Sequence, residues 1–248
     1  MSKMLKVMIR KFLDFIGLES KYKNFKLKRI IISLRDKREP LSSIRNNPLY
    51  NSSNEKIIFI HIPKAAGMSV VKTIYGNDYS HHSTALEYIN EDFEKFNKAF
   101  VFSISRNPYT RLISAYNYLK SGGMNPIDRI WHDIYIKDYE TFESFVMSGG
   151  LEHAIECNAE HFIPQYKFVC DLKGNVLCNH LGKLEQLSAT EASISSVLNR
   201  DVKFDLINKH SEKKLVLSEY YNKNMLDKVN HLYMKDFEIF NYEMLEMI

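Results

Sequence analysis

The first group of residues that could do chemistry lies in the sequence Pro-Lys-Ala-Ala-Gly-Met-Ser at positions 63–69, here called the Lys64 loop. Lys64 offers a mobile positive charge, Ser69 a hydroxyl donor, and Gly67 a point at which the backbone can approach a ligand closely. Unpaired N–H groups at the start of a following helix would add to this attraction for anions. Taken alone, the pattern is equally typical of an anion-binding loop and of an ordinary strand-to-helix turn. It does not match GxxxxGK[ST], because Lys64 precedes Gly67.

A second basic loop, residues 105–107, follows an apolar run at 99–104 and is here called the Arg106 loop. Ser114 lies two turns into the helix predicted after it. The carboxyl ends of parallel strands meet at one edge of a sheet, so Lys64 and Arg106 could bind two separate anionic groups of one ligand. For Arg111, a structural ion pair or hydrogen bond near the start of that helix is the favoured interpretation.

Two successive units of strand, loop and helix must position these side chains. Asn107 suits a helix N-cap and Pro108 the first helical position, while Thr84 and Glu87 form a capping box. The predicted elements are strands at 56–62 and 99–104 and helices at 70–75, 84–96, 108–119, 182–199 and 218–235. Alternating strands and helices predict the α/β class, with a central parallel sheet between two helical layers, α/β/α.

At these residues the sequence resembles a known family. The segments 59–69 and 106–116 look like the paired cofactor signatures of sulfotransferases that use 3′-phosphoadenosine 5′-phosphosulfate (PAPS). The likeness is to carbohydrate sulfotransferases of the heparan/chondroitin type, sulfotransferase family 2, and their bacterial relatives. The family's usual first signature is Pro-Lys-Thr-Ala-Gly-Thr-Ser, so Ala65 and Met68 remove two hydroxyl donors but leave the backbone N–H groups. Weaker resemblance extends to residues 82–85, 161–165, 182–185 and 236–242.

The resemblance implies a P-loop-nucleotide-hydrolase-like sulfotransferase fold and a role for individual residues. Lys64 would neutralise the bridging oxygen as the sulfuryl group leaves, and Arg106 and Ser114 would hold the 3′-phosphate. The 5′-phosphosulfate would be bound by Lys64, Ala65, Ala66, Gly67, Met68 and Ser69. Sulfuryl transfer needs in-line geometry and charge stabilisation without a covalent enzyme intermediate, so no metal is expected.

The acceptor hydroxyl needs a base, and histidine is the side chain whose ordinary pKa, about 6.5, suits that task. The resemblance selects His82, through the pattern His-x-Thr-Ala, as the catalytic base. Consecutive extended residues point in opposite directions, so His81 and His82 are not expected to face the site together. His81, His161 and Glu87 remain alternatives.

Composition supports a globular chain and adds a basic extension. The chain has 248 residues, 45% of them apolar, a net charge of +4, and no apolar run near the roughly 20 residues that span a bilayer. Three cysteines without a CxxC pair favour a reducing compartment over a disulfide framework. Residues 1–50 contain 13 basic and 4 acidic residues, a net charge of +9, which leaves −5 for residues 51–248. This distribution argues against nucleic acid as a partner of the core.

Within the extension, residues 3–16 predict a basic amphipathic helix, which either packs back on its own domain, the favoured reading, or lies on an anionic membrane surface. Residues 36–55 have a linker composition, so the domain boundary is placed near Asn51. The expected organisation is an extension with its linker at 1–50 and a sulfotransferase domain at 51–248. A cytoplasmic location, peripheral at the inner face of the membrane, is the corresponding expectation.

The predicted function is transfer of a sulfuryl group from PAPS to a hydroxyl of a glycan or polysaccharide. One alternative is a nucleotide-dependent phosphoryl-transfer enzyme, which would prefer ATP·Mg²⁺. Another is a catalytically silent nucleotide-binding protein, which the departures at Ala65 and Met68 suggest. Residues 121–150 form an insertion-like region expected to shape acceptor specificity. The sequence does not determine the acceptor or the oligomeric state.

Overall fold

The computed structural model describes residues 47–50, 56–205 and 215–248. Three parallel strands form a sheet in the order β1 (Ile57–Ile60), β2 (Phe100–Ser105) and β3 (His180–Lys183). The expected α/β class and parallel sheet are confirmed. The predicted helix at 3–16 lies outside the described residues.

Helices make up most of the remaining described chain. The helices are α1 (Gly67–Val70), α2 (Ala85–Glu91), α3 (Phe93–Lys98), α4 (Pro108–Lys120), α5 (Pro126–Trp131), α6 (Phe142–Met147), α7 (Gly150–Glu156), α8 (Tyr166–Val169), α9 (Leu187–Leu198), α10 (Lys223–Leu232) and α11 (Met234–Ile239). Two of them widen into π-helical turns, α1 at Val71–Tyr75 and α5 at His132–Ile136. Short 3₁₀ turns occur at Leu184–Gln186 and Leu217–Glu219.

The sheet is buried on both faces. Alternate residues of β1 point to opposite sides, so Ile58 and Ile60 pack with buried side chains of α2 and α8, whereas Ile57 and Phe59 pack with α1 and α9. This explains why β1 is apolar at every position rather than at every second one. A third and larger apolar cluster contains no strand residue and joins α4 to α5, α6, α7 and α10.

Local sequence signals fix several helix ends as predicted. The Thr84–Glu87 capping box is present, and the Asn107 side chain accepts a hydrogen bond from the Tyr109 N–H with Pro108 at the first helical position. The predicted helix at 84–96 is wrong in one respect, because it ends at Asp92. The Asp92 carboxylate accepts from the Lys95 N–H and so starts a second helix, α3.

Two other predicted helices need correction. The helix predicted from Gly182 begins only at Leu187, because residues 180–183 pair with β2 as strand β3. A side chain at Gly182 would come within 2.1 Å of the Thr190 hydroxyl, so the glycine allows α9 to pack against this strand. The helix predicted at 218–235 begins at Lys223, after the Asn222 cap, and is interrupted at Tyr233.

The π-helical end of α1 supports the outer side of β1. The Tyr75 hydroxyl accepts from the Phe59 N–H at 3.0 Å and donates to the Ile57 carbonyl at 3.3 Å. Within the described residues, β1 has a strand neighbour on one side only. The backbone turns away at Gly76, whose φ of 67° is left-handed and thus favours glycine.

Residues 47–50, which the sequence assigned to the linker, pack against the domain. The Asn47 amide donates to the Ser83 hydroxyl at 3.1 Å and to the Tyr88 hydroxyl at 3.3 Å, and Leu49 is buried with β1 and α1. The boundary near Asn51 stays a prediction, because residues 51–55 lie outside the described chain. In the part of the chain that the structure describes, no helix is long and apolar enough to cross a membrane.

Candidate functional site

The Lys64 loop connects β1 to α1 through strained backbone. Lys64 and Ala66 both have left-handed φ angles, 67° and 58°, which cost energy in residues other than glycine. Left-handed residues in a loop can turn successive N–H groups toward one concave face that binds anions. Such strain persists where the surroundings enforce it and is concentrated at functional sites. The backbone therefore supports the predicted anion-binding role.

Gly67 is required by a neighbouring side chain. A Cβ atom at this position would lie 1.9 Å from the imidazole of His61, which packs directly on the glycine. His61 is buried, and its Nδ1 lies 2.5 Å from the Ser80 hydroxyl. Desolvation, followed by the neighbouring His82 and His161, holds the pKa of His61 well below its usual range. His61 is therefore a neutral side chain that packs against the loop and supports it.

The Arg106 loop is held in place by a buried amide. The Gln165 side chain accepts from the Arg106 N–H at 2.9 Å and donates to the Arg106 carbonyl at 2.8 Å. The Arg106 guanidinium donates to the Thr110 hydroxyl at 3.1 Å and to the Lys64 carbonyl at 3.4 Å. The two predicted loops are thus in direct contact at the carboxyl ends of β1 and β2.

A buried carboxylate fixes Gln165 in turn. The two oxygens of Asp236 accept from the backbone N–H groups of Gln165 and Tyr166, each at 2.8 Å. Desolvation raises the pKa of Asp236 to about 6, although these two hydrogen bonds act in the opposite direction. The C-terminal helix α11 therefore contributes to the position of Arg106.

The other side of the Arg106 loop is held by Glu185. Its carboxylate accepts from the Asn107 N–H at 2.9 Å and from the Tyr242 hydroxyl at 2.8 Å, which also lies 3.2 Å from the Ser105 hydroxyl. Glu185, Tyr242 and Gln165 all come from the segments of weaker resemblance. Residues from the segments 161–165, 182–185 and 236–242 therefore all help to hold the Arg106 loop in place.

Arg111 has the structural role favoured from the sequence. Its guanidinium is buried and donates to the carbonyls of Pro63 at 3.0 Å and Ile163 at 3.1 Å. It therefore ties helix α4 to the start of the Lys64 loop and to the segment before Gln165. Arg111 thus matches the hydrogen-bond form of the predicted structural role, with backbone carbonyls as its partners.

The Lys64 ammonium lies over an aromatic ring. Its Nζ atom is 3.6 Å from the centroid of the Tyr118 ring on α4. Desolvation, with the positive charge of Arg106 as the next cause, lowers the pKa of Lys64 to about 8, while Asp128 opposes this change. Lys64 is thus mostly charged at neutral pH but sensitive to its surroundings.

The adjacent histidines His81 and His82 have different neighbours. His82 Nδ1 lies 3.2 Å from the His61 carbonyl, and its ring centroid is 4.4 Å from that of His61 and 6.0 Å from that of His161. The His81 ring instead lies 6.5 Å from the ring of Tyr79. An Nδ1–H donated to a carbonyl leaves the Nε2 lone pair of His82 available. Desolvation lowers the pKa of His82 to about 4, so this histidine is neutral at physiological pH.

A comparison with models of protein families shows which family the chain belongs to. The model of the sulfotransferase family matches residues 48–243 of the 248-residue chain. The chain belongs to the sulfotransferase family. Members generally use PAPS as the sulfate donor. Comparisons with curated proteins and with solved structures give no match.

Other residues of the predicted donor site in this sulfotransferase have distinct environments. The Ala65 methyl group is fully buried in the core beside α2, Met68 is exposed, and Ser69 is buried with its N–H donated to the Ala66 carbonyl at 3.1 Å. The Ser69 N–H is thus already bonded within the loop, and residues 65 and 68 lack the hydroxyls that the family usually carries there. Ser114 is half-buried on α4, and the described contacts do not join it to Arg106.

From the sequence, core packing is the default role of Tyr118, and nothing singles out Asp128 of this sulfotransferase. The Tyr118 hydroxyl donates to Asp128 Oδ2 at 2.6 Å, and His161 Nε2 lies 3.7 Å from Asp128 Oδ1. Desolvation alone would raise the pKa of Asp128, but the adjacent His161 and the hydrogen bond from Tyr118 outweigh it and lower the pKa to about 2. One sequence signal for Asp128 existed, the capping box that it forms with Asn125 at the start of α5.

The insertion-like region is therefore linked to the Lys64 loop by way of Tyr118, which bonds to Asp128 and contacts Lys64. Across residues 47–50, 56–205 and 215–248, no group of three or more His, Cys, Asp or Glu side chains is arranged to hold a metal ion.

Proposed function

We propose that this sulfotransferase transfers the sulfuryl group of PAPS to a hydroxyl of a carbohydrate. The observation that carries the proposal is the contact between the two loops, in which the Arg106 guanidinium donates to the Lys64 carbonyl. Two basic loops in contact at the ends of adjacent parallel strands suit one ligand with two separated anionic groups. PAPS has this character, with a 5′-phosphosulfate and a 3′-phosphate.

The residues present suit such a donor. The left-handed backbone of the Lys64 loop would contact the 5′-phosphosulfate, and Lys64 would offset the charge that builds up on the bridging oxygen. Arg106, with its backbone fixed by Gln165, and Ser114 would hold the 3′-phosphate. The strand–loop–helix unit at β1 also supports our assignment of a P-loop-nucleotide-hydrolase-like architecture.

In the proposed reaction, the acceptor oxygen attacks sulfur in line with the bond to the bridging oxygen. The new S–O bond forms as the old one breaks, and 3′-phosphoadenosine 5′-phosphate (PAP) leaves. His82 Nε2 takes the hydroxyl proton, because His82 is neutral and its Nδ1–H is directed to the His61 carbonyl. No covalent enzyme intermediate and no metal enter this scheme. The carbohydrate acceptor follows from the motif resemblance.

Calorimetric titration tests the donor class. PAP, ATP·Mg²⁺ and AMP are titrated into the wild type, Arg106→Ala and the control Arg129→Ala, whose side chain is exposed on α5. We expect binding of PAP alone, weakened about 10- to 100-fold by Arg106→Ala through loss of charge-assisted hydrogen bonds, and unchanged by Arg129→Ala. Preference for ATP·Mg²⁺ would replace the proposal with a phosphoryl-transfer enzyme.

Single-turnover sulfate transfer from labelled PAPS tests the catalytic roles. Lys64→Ala and His82→Ala should each abolish transfer while PAP still binds to the His82 variant. If His161→Ala abolishes the chemical step and His82→Ala does not, the base is His161. If PAP binds but no acceptor in a glycan panel is sulfated, the catalytically silent alternative is supported.

We also propose that the protein acts in the cytoplasm at the inner face of the membrane, through the basic residues of 3–16. The support is the segment's sequence, in which the basic residues fall opposite the apolar ones on a helical wheel. Sedimentation with anionic liposomes should retain the full chain more strongly than a variant in which Lys3, Lys6, Arg10 and Lys11 are replaced by Gln. Equal binding of the two proteins would exclude this proposal.

A further inference from the structure

The geometry points to Tyr118 as a positioning residue for Lys64: its ring, fixed by Asp128, supports the ammonium at the donor-binding loop and keeps it charged. The Nζ atom of Lys64 lies 3.6 Å from the ring centroid, well within the range of a cation–π contact. Such contacts are stronger where water is excluded, and Lys64 is half-buried here. The catalytic consequence rests on the proposed function, but the contact itself does not.

The orientation of the Tyr118 ring is fixed through its hydroxyl group, by Asp128. Its hydroxyl donates to Asp128 Oδ2 at 2.6 Å, and the same oxygen accepts from the N–H groups of Met124 at 2.9 Å and Asn125 at 3.2 Å. Gly123 permits this approach, because a Cβ there would lie 2.1 Å from the Asp128 Cβ. The turn before α5 therefore holds Asp128, Asp128 holds Tyr118, and Tyr118 faces Lys64.

The contact with the ring matters for the charge of Lys64, because most of its other neighbours are positively charged or can become so by protonation. Asp128 is the anion that acts on it. The positive charges of Arg106 and Arg111 lower the pKa of Lys64. The charge of Lys64 in turn lowers the pKa values of His61, His82 and His161. Desolvation is the largest cause that lowers the pKa of Lys64 to about 8, and the charge of Arg106 is the next. Removing the ring should therefore increase the neutral fraction of Lys64 near neutral pH.

Competitive labelling of the free protein with trace acetic anhydride measures that fraction directly. Only neutral amines react, and mass spectrometry of the Lys64 peptide, with the exposed Lys98 as internal standard, gives the reactivity at each pH. Tyr118→Leu should raise Lys64 labelling at pH 7 about three- to fivefold, whereas Tyr118→Phe, which keeps the ring, should change it less than about twofold. Tyr50→Leu removes the ring 4.3 Å from Lys95 and should leave Lys64 unchanged.

Fluorinated phenylalanines at position 118 provide a second test that keeps the shape of the side chain. Fluorine withdraws electron density from the ring face, so Lys64 labelling should rise from phenylalanine to pentafluorophenylalanine. Labelling that is unchanged or lower in Tyr118→Leu with native circular dichroism, or that is flat across the fluorinated series, would overturn the inference. If Tyr118→Leu does not fold, the fluorinated series decides.

These measurements are independent of the donor. Failure of PAP to bind would refute the proposed function and leave the labelling result standing. If both hold, loss of the ring should also move the upper limit of the pH range for sulfate transfer to lower pH, with PAP affinity at pH 6 unchanged.

Discussion

Replacing Gln165 by methionine should destabilise the protein and weaken donor binding together. Gln165 is fully buried, and its amide makes two hydrogen bonds to the Arg106 backbone, at 2.9 and 2.8 Å. Methionine has a similar length but cannot make either bond, so the Arg106 N–H and carbonyl both lose the partner that Gln165 provides. Loss of its partner costs each buried group about 1–3 kcal/mol, which predicts a loss of about 2–6 kcal/mol in the free energy of unfolding.

Urea denaturation measures this loss, and an unchanged denaturant slope would show that the compactness of both states is preserved. PAP affinity, measured by calorimetry, should fall at least about tenfold, because the backbone that presents Arg106 is released. Gln186→Met, on the exposed 3₁₀ turn, is the matched control and should alter neither quantity. A free energy of unfolding within about 0.5 kcal/mol of wild type for Gln165→Met would refute the reasoning.

Three further outcomes are expected. The rate of sulfate transfer at limiting substrate should rise with pH through about 4, as His82 becomes neutral, and fall above about 8, as Lys64 loses its proton; Lys64→Arg should remove the upper limit in the activity that remains. Ala66→Gly should raise the free energy of unfolding by about 0.5–1 kcal/mol in a thermal melt, because glycine adopts the φ of 58° without strain. Arg111→Lys should cost about 1–3 kcal/mol in urea denaturation, because one ammonium group cannot replace both guanidinium bonds to carbonyls.

Different results would contradict each of these expectations. An upper pH limit that persists at 8 in the Lys64→Arg variant would assign that limit to another group. A lower melting temperature for Ala66→Gly would show that the loop gains more from the methyl group than it loses in backbone strain. An Arg111→Lys protein as stable as wild type would mean that the two carbonyls find other donors.

The parts of the fold that could be predicted are those encoded in a short stretch of sequence. β1 is a continuous apolar run, β2 is largely apolar, and the caps at Thr84 and Asn107 act on N–H groups within three residues. β3 could not be recognised in this way. Its sequence His-Leu-Gly-Lys has no run of β-branched or aromatic residues, and its pairing depends on β2, far away in the sequence.

The residues of the candidate site also fall into those that could be predicted from nearby sequence and those that could not. Lys64 and Arg106 could be found because each follows an apolar strand, and parallel strands bring such positions to one edge. Tyr118 and Asp128 could not be placed at the Lys64 loop, because only the packing of α4 and α5 brings them to Lys64. Gly67 was attributed to close approach of a ligand, whereas the atoms that approach it belong to His61, a residue inside the predicted strand.

The hydroxyl of Tyr75 has a consequence for how the protein behaves in a crowded solution. Among the three strands of the described chain, β1 is the most apolar and has an open side, and unpaired N–H and carbonyl groups on such a side are a template for pairing with another chain. One phenol occupies both an N–H and a carbonyl on that side of β1. The helix that follows the Lys64 loop thus leaves fewer groups on this side of β1 open to pairing with another chain. The predicted anion-binding loop and this cover for the edge of β1 therefore come from one continuous segment of chain.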